Sequence, residues 1–374
     1  MQEVLSISPN ELANSQKDNP PMPMMKAALA TGFGEIDQNI FVRNDWSVPT
    51  LLSNDVDHLL IRVLACALAP GDVRVLSGKT DYVQLPASGH PYVIGSDVSG
   101  ILVAVPNNSR FQVGDYVIAR FDEPKPNGGV ADYRLVKTEL TEKCPDSISP
   151  IQACGLPASA MAAKRIVREY MKENDRVLVI GGSGGVGSCV LQYAKLNRAS
   201  FLAAVSTQEE HCRQLGADQV IDYRKQKWWQ VPDFEENKFD VVFDLVNGEN
   251  WLKGAHAGTS INKKGTYVAL MTGVETEMEV HNVLGVIPIM FQLVGRMLWS
   301  RLNPRTPKWV APEALKLEEG DLKELLQDVA EGRLEPILDS ASPFDFTEEG
   351  VRKAMHLQKS RHAHGKVVIK IAEP

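Results

Sequence analysis

The run Val177-Leu178-Val179-Ile180-Gly181-Gly182-Ser183-Gly184-Gly185-Val186-Gly187 sets an apolar strand-like segment before a glycine cluster and an apolar helix-forming segment after it. Gly182, Gly184 and Gly187 satisfy the spacing G-x-G-x-x-G. Between a strand and a helix, that spacing binds the pyrophosphate of a dinucleotide. Gly182 is expected to permit the tight turn, Gly184 to let the backbone approach the phosphates, and Gly187 to let the helix pack on the strand. Ser183, Gly185 and Val186 complete the loop at the helix N-terminus, where free N–H groups and the macrodipole favour negative charge.

The residues beyond the next strand select the dinucleotide. A site for NAD places Asp or Glu at the end of the second strand to hold the ribose hydroxyls. Here the strand 201–205 is followed by Ser206 and Thr207. A carboxylate there would repel a 2′-phosphate, whereas hydroxyls can donate to one. Tyr223 and Arg224, after the third strand, are expected to close the same pocket, with Glu209 and Glu210 as the opposing feature. Each charge-assisted hydrogen bond is worth about 1.5–3 kcal/mol, so two or three set a preference for NADPH over NADH.

The elements that position these groups fall into two patterns. From Lys26 onward, short β-like runs (58–68, 98–105, 116–119, 133–136) are punctuated by Gly, Pro, Asn and Asp, an antiparallel, barrel-like pattern. Near residue 150 the pattern changes. A helix over 158–171 leads into strands at 176–180, 201–205, 219–221, 239–243 and 266–270. Helices over 185–196, 209–215 and near 251–260 alternate with them, which implies a parallel sheet with crossover helices. A helix over 321–331 and strands at 336–338 and 366–371 follow. The fold class is α/β.

Composition narrows the rest. A chain of 374 residues exceeds what one core usually supports, so two domains are expected. The net charge of -7 argues against nucleic acid as a partner. Cys66, Cys144, Cys154, Cys189 and Cys212 are scattered without a C-x-x-C pair, which reads as reduced thiols in a cytosol-like compartment. His362 and His364 lack a companion ligand cluster, so no metal is expected there. The polar first 25 residues carry neither a secretory h-region nor arginine and are read as a mobile tail. The apolar stretch 283–300 holds Gly285, Pro288, Gln292, Gly295 and Arg296 and is too interrupted for a membrane span. With the basic flank beyond it, it is a candidate for peripheral membrane contact, against a helix that packs on the domain or on a dimer partner.

Ordered segments along nearly the whole chain from Lys26 carry a family resemblance. They are Ala69-Pro70-Gly71-Asp72 with Ser77-Gly78, Pro91 to Gly100, Val113-Gly114-Asp115-Tyr116-Val117, Gly128 to Tyr133, the glycine loop, Leu215-Gly216-Ala217-Asp218 with Ile221-Asp222-Tyr223, and His364-Gly365-Lys366-Val367-Val368. In this order and spacing they resemble the medium-chain dehydrogenase/reductase superfamily, above all its zinc-free quinone oxidoreductase branch of the reticulon-interacting type. The resemblance implies a GroES-like β-barrel catalytic domain from residues 26–153 and 336–374, with a Rossmann domain over 154–335 inserted between. It implies an active site between the two, where NADPH delivers hydride to a quinone or to the activated alkene of an enal or enone, and it implies a homodimer.

It also assigns residues. Asp72, Thr272 and Gly273 are expected near the cleft, Asn247 and Gly248 near the nicotinamide ribose, and Lys366 beside the cofactor. Tyr82 is the candidate proton donor, with water as its rival. Two departures bear on the chemistry. Zinc-dependent members carry Gly-His-Glu where Gly95-Ser96-Asp97 stand, and a cysteine near Ala69-Pro70-Gly71; with those ligand positions changed, a zinc alkoxide mechanism is disfavoured. Many zinc-free reductases also have Asn at the position of Ala69, and some a tyrosine at Arg74. This motivates an alternative function, an NADPH-binding adaptor with little catalysis that engages a protein or membrane partner.

Overall fold

The computed structural model describes residues 23–79, 89–121, 128–247, 250–255, 260–270, 279–312, 318 and 320–374. Within Arg176–Ile180, alternation decides the packing of the central sheet. Val177 and Val179 enter one apolar cluster with residues of the helices Pro157–Tyr170, Gly185–Leu196 and Asp321–Ala330. Leu178 and Ile180 enter a second, with Trp228, Phe234, Trp251, Tyr267 and Trp309. A strand buried on both faces belongs in a parallel sheet covered on both sides. The sheet runs Gln219–Ile221, Phe201–Val205, Arg176–Ile180, Phe239–Asp244, Ile261–Ala269, Lys308–Val310, all parallel. Counted along the chain that order is 3-2-1-4-5-6, the doubly wound dinucleotide-binding arrangement.

The second body is antiparallel except at one edge, where Phe344–Asp345 runs parallel to Val368–Lys370. His58–Ala67 pairs with Val98–Ala104, Tyr133–Lys137 and, from the C-terminal end of the chain, Val368–Lys370. Tyr116–Ala119 and Thr141–Lys143 extend the sheet on one side and Phe344–Asp345 on the other. A three-stranded sheet of Ile40–Ser47, Met24–Ala30 and Tyr92–Val93 lies beside it. Asp97 fastens this body to the other: its carboxylate accepts from Phe121 N at 3.1 Å and from Ala158 N, in the first turn of Pro157–Tyr170, at 2.9 Å.

Several expectations are corrected. The segment 251–260 does not open as an α-helix. Asn250–Ala255 forms a π-turn, with Asn250 pinned by Trp228 Nε1 at 3.1 Å and Gly254 set under the Trp228 indole, where a Cβ would fall 2.2 Å from the ring. Residues 336–338 make only a single bridge, Leu338 to Lys366, and no strand. The helices Pro70–Ser77 and Glu348–Ser360 were not expected. The second had a legible start, since Thr347 Oγ1 accepts from Gly350 N and Glu348 and Glu349 fill the first turn. All five cysteines are buried and unpaired, and burial pushes the thiols of Cys66, Cys144 and Cys189 up to about 12.

Candidate active site

Strands Arg176–Ile180 and Phe239–Asp244 are neighbours from the two halves of the sheet, so the loops beyond their C-terminal ends diverge. Ligands of doubly wound sheets bind in the crevice this leaves. A cavity of about 920 Å³ occupies it. One wall is the glycine loop with Val205, Ser206, Thr207, Tyr223 and residues 245–247. The opposite wall comes from the barrel: Leu68, Pro70, Val73, Arg74, Ser77 and Lys79, with the C-terminal segment 358–366.

The glycine loop divides its work differently from the expectation. Gly181, at φ +86°, makes the left-handed turn, whereas Gly182 is a packing glycine whose Cβ would lie 3.0 Å from Ala204 Cβ. A Cβ on Gly187 would fall 2.1 Å from Gly181 O, so only glycine lets the helix Gly185–Leu196 seat against the turn. At Gly184 the nearest atom to such a Cβ is 3.5 Å away, which leaves its backbone open to the cavity.

A polar relay ties this loop to the second strand and to the barrel. Gln208 N donates to Ser206 Oγ (3.0 Å), and Ser206 Oγ donates to Ser183 Oγ (2.8 Å). His364 lies 3.3 Å from Ser183 Oγ through Nδ1 and 3.0 Å from the Gln208 amide nitrogen through Nε2. With the amide donating to Nε2, the imidazole proton sits on Nδ1 and points at Ser183. Ser183 then accepts from two sides, and its own proton is left to a ligand. The backbone repeats the link, since Gly365 N donates to Ser183 O at 2.9 Å.

The electrostatics are one-sided. Arg74, Lys79, Lys227, Lys359, Arg361 and Lys366 line the cavity, and its described lining residues include no Asp or Glu. Lys366 is buried. Thr207 and Tyr223 line the cavity, but Arg224 does not, a correction to the pocket expected there. Its guanidinium is held by Asp222 through contacts of 3.1 and 2.9 Å, and this pairing lowers the Asp222 carboxyl to about 2. The far loop is built on Asp244, which ends its strand almost wholly buried. It accepts from Val246 N (3.1 Å), Asn247 N (2.8 Å) and the Tyr267 hydroxyl, and burial raises its pKa. Those bonds hold Asn247 in its left-handed conformation, φ +72°, on the cavity wall.

Asp72, a candidate from the sequence either for catalysis or for bracing the turn after Pro70, makes the bonds of a bracing residue. It is buried behind Pro70 and accepts from Ala69 N (2.8 Å), Gly95 N (3.1 Å) and Ser96 Oγ (2.7 Å). It caps the helix Pro70–Ser77 and clamps that helix to the 95–96 turn. Tyr82, Thr272, Gly273 and Gly248 lie outside the described residues.

Comparison with known proteins places the chain. Residues 55–171 match the alcohol dehydrogenase GroES-like domain, and residues 215–369 match a zinc-binding dehydrogenase domain. The NADPH-dependent alkenal/one oxidoreductase of Arabidopsis thaliana, a chloroplastic protein, is 32% identical over 356 residues, covering 92% of this chain and 79% of its own. The 2-methylene-furan-3-one reductase of Solanum lycopersicum is 32% identical over 360 residues, with the same coverage. The chain belongs to the medium-chain dehydrogenase/reductase superfamily, in its zinc-free quinone and enone oxidoreductase branch. The quinone oxidoreductase structure from Coxiella burnetii shares the fold, with a TM-score of 0.73 at 22% identity over 93% of this chain and 99% of that one.

For this medium-chain dehydrogenase/reductase, the zinc of the matched domain's description does not fit the residues present. Ser96 is hydrogen-bonded to Asp72, and both Asp97 oxygens accept backbone N–H groups. Among the described residues no group of three or more His, Cys, Asp or Glu is placed to hold a metal. The dinucleotide does fit, on the glycine cradle and a cavity whose described lining is cationic and holds no carboxylate. Sequence reasoning missed Arg361, His364 and Lys227. The one signal for the first two was the family segment that His364 itself opens, with Arg361 three residues before it.

Proposed function

We propose that this protein is an NADPH-dependent reductase of quinones or α,β-unsaturated carbonyls that works without zinc. The observation that carries the reading is the cavity at the strand switch point, with a glycine loop on a helix N-terminus, six lysine and arginine side chains and no carboxylate among its described lining residues. Bound NADPH supplies the hydride. The backbone of 182–187 and the Ser183 hydroxyl would hold the pyrophosphate. Ser206, Thr207, Tyr223 and Arg361 would surround the adenosine ribose and its 2′-phosphate, and Asn247, Thr272, Gly273 and Lys366 the nicotinamide side. Leu68, Pro70 and Val73 offer an apolar wall that excludes water from the reacting face. Tyr82 is assigned the proton for the α-carbon of an enone, with water as its rival.

Two finer readings accompany this one. The protein is a homodimer: the family precedent supports it, and so does the sheet's last strand, Lys308–Val310, whose outer edge has no strand partner among the described residues. Its compartment is reducing and cytosol-like, in keeping with five unpaired thiols.

The test is NADPH consumption, read by the loss of reduced-nicotinamide absorbance, against a naphthoquinone, phenanthrenequinone, a medium-chain 2-alkenal and an enone, with NADH in parallel. Turnover with NADPH on one chemical class is expected. Tight NADPH binding without turnover on any of them would favour the adaptor reading, and a preference for NADH would overturn the roles given to Ser206 and Tyr223.

A further inference from the structure

The helix Val283–Leu302 has twenty residues and one stripe against the body. Leu293 and Met297 pack on the second apolar cluster, and Ser300 is buried. The rest of its surface is apolar and open: Val283, Leu284, Ile287, Met290, Phe291, Val294, Leu298, Trp299 and Leu302 are all exposed, Phe291 by 75% and Leu302 by 79%. Single exposed apolar residues are ordinary on a protein surface; nine along one helix mark a contact face.

Charge says what covers it. From Asn282 to Pro312 the chain carries no Asp or Glu, although it has 47 elsewhere. Arg301, Arg305 and Lys308 at the C-terminal end of the face are exposed and form no ion pair among the described residues. Trp299, apolar with one polar edge, stands where the apolar face meets the basic end. Apolar side chains, a bordering tryptophan and uncompensated cations together are the composition of a helix lying in the headgroup layer of an anionic bilayer. A second copy of the chain would answer the apolar face, but the same surface on that copy has no carboxylate between 282 and 312 for the three cations. Crossing the bilayer would strip Leu293 and Met297 from the core and place Gln292 and Arg296 in hydrocarbon, so the helix lies along the membrane.

We infer that Val283–Leu302 with Arg301, Arg305 and Lys308 docks this protein peripherally on an anionic lipid surface. The docking also orients the cleft. Val280, three residues before the helix, donates its N–H to Lys79 O at 2.6 Å, and Lys79 lines the cavity. The cleft rim is therefore held beside the lipid-facing helix, on the side from which a lipophilic acceptor would arrive.

The test is co-sedimentation of the full chain with phosphatidylcholine vesicles, with and without phosphatidylserine. Binding is expected with the anionic vesicles, weak with the neutral ones and reversed by salt. Each basic residue near such a surface raises partition roughly fivefold, so Arg301→Glu/Arg305→Glu lowers it at least ~25-fold. Phe291→Ser/Leu302→Ser, at exposed positions outside the cavity, also abolishes binding while NADPH binding by the soluble protein is unchanged. That readout separates failure of this inference from failure of the reductase reading. No binding to anionic vesicles, or binding indifferent to both variants, overturns the proposal. So does a dimer, measured by light scattering without lipid, that Phe291→Ser/Leu302→Ser dissociates while the vesicles are ignored, since it assigns the face to a second copy.

Discussion

The two walls of the cavity were made in different ways. The dinucleotide-fold wall comes from the ends of consecutive strands and one glycine loop, within about seventy residues of chain. The barrel wall joins Leu68–Lys79 to residues 358–366, nearly three hundred positions apart, through the antiparallel pairing of Val368–Lys370 with His58–Ala67. One wall is local and stiff, fixed at Gly187 by backbone that leaves no room for a Cβ. The other is assembled by long-range pairing and contributes mostly side-chain charge. Local walls can be read as motifs; assembled ones need the fold.

Four substitutions would sharpen or break that contrast, from the largest effect to the smallest. Gly187→Val should abolish NADPH binding, checked by cofactor fluorescence titration, and lower the melting temperature. A Cβ there meets backbone at 2.1 Å, and overpacking costs about 1–3 kcal/mol even where side chains can yield. If Gly187→Val binds NADPH normally, the stiff-wall account fails.

Asp72→Asn comes next. It removes either the one oxygen that accepts from both Ala69 N and Ser96 Oγ or the oxygen that accepts from Gly95 N, at about 1–3 kcal/mol for each buried donor left unmatched, which calorimetry or urea unfolding would register. With a positioning role, kcat in the folded fraction stays within about twofold. A drop of about a hundredfold, as losing an acid–base group gives, would restore Asp72 to the chemistry.

Arg361→Asn tests the assembled wall. Arg361 sits at φ +59°, which Asn tolerates, so the loop is preserved while the charge goes. The Kd for NADPH should rise about tenfold or more, the worth of one charge-assisted hydrogen bond, with the Kd for NADH nearly unchanged. Equal loss for both cofactors would remove Arg361 from the 2′-phosphate. His364→Ala, which frees Ser183 from one of its two donors, should weaken NADPH by only about three- to tenfold. No change in either cofactor's Kd would mean that the relay through Ser183 carries no binding.

The sequence was most informative where the chain is local. The glycine loop, the strand at 176–180, the absent carboxylate after 205 and the alternation from residue 150 all lie in windows short enough for pattern to speak. Asn247 lies on the cavity wall because a buried Asp244 fixes the loop that follows its strand. Arg224 stays off the cavity wall because a nearer partner, Asp222, two residues away, holds its guanidinium. Gly181 was overlooked because the motif counts spacing and not backbone angle. Arg361 and His364 were illegible in that role, since nothing local says that a segment after a helix will lie across a loop 180 residues earlier. The helix at 283–302 was half-read: its apolar composition was plain, but which stripe faces the body depends on Trp309 and Tyr267 and their partners.

The buried cysteines carry a consequence for the working life of such a catalyst. The substrates proposed for it are soft electrophiles, which add to thiolates without any enzyme's help. Burial pushes the thiols of Cys66 and Cys189 up to about 12, so both stay protonated at neutral pH, and both are shut inside the fold. The protein thus offers its own substrates no accessible cysteine thiol, the softest nucleophile a chain can present to them.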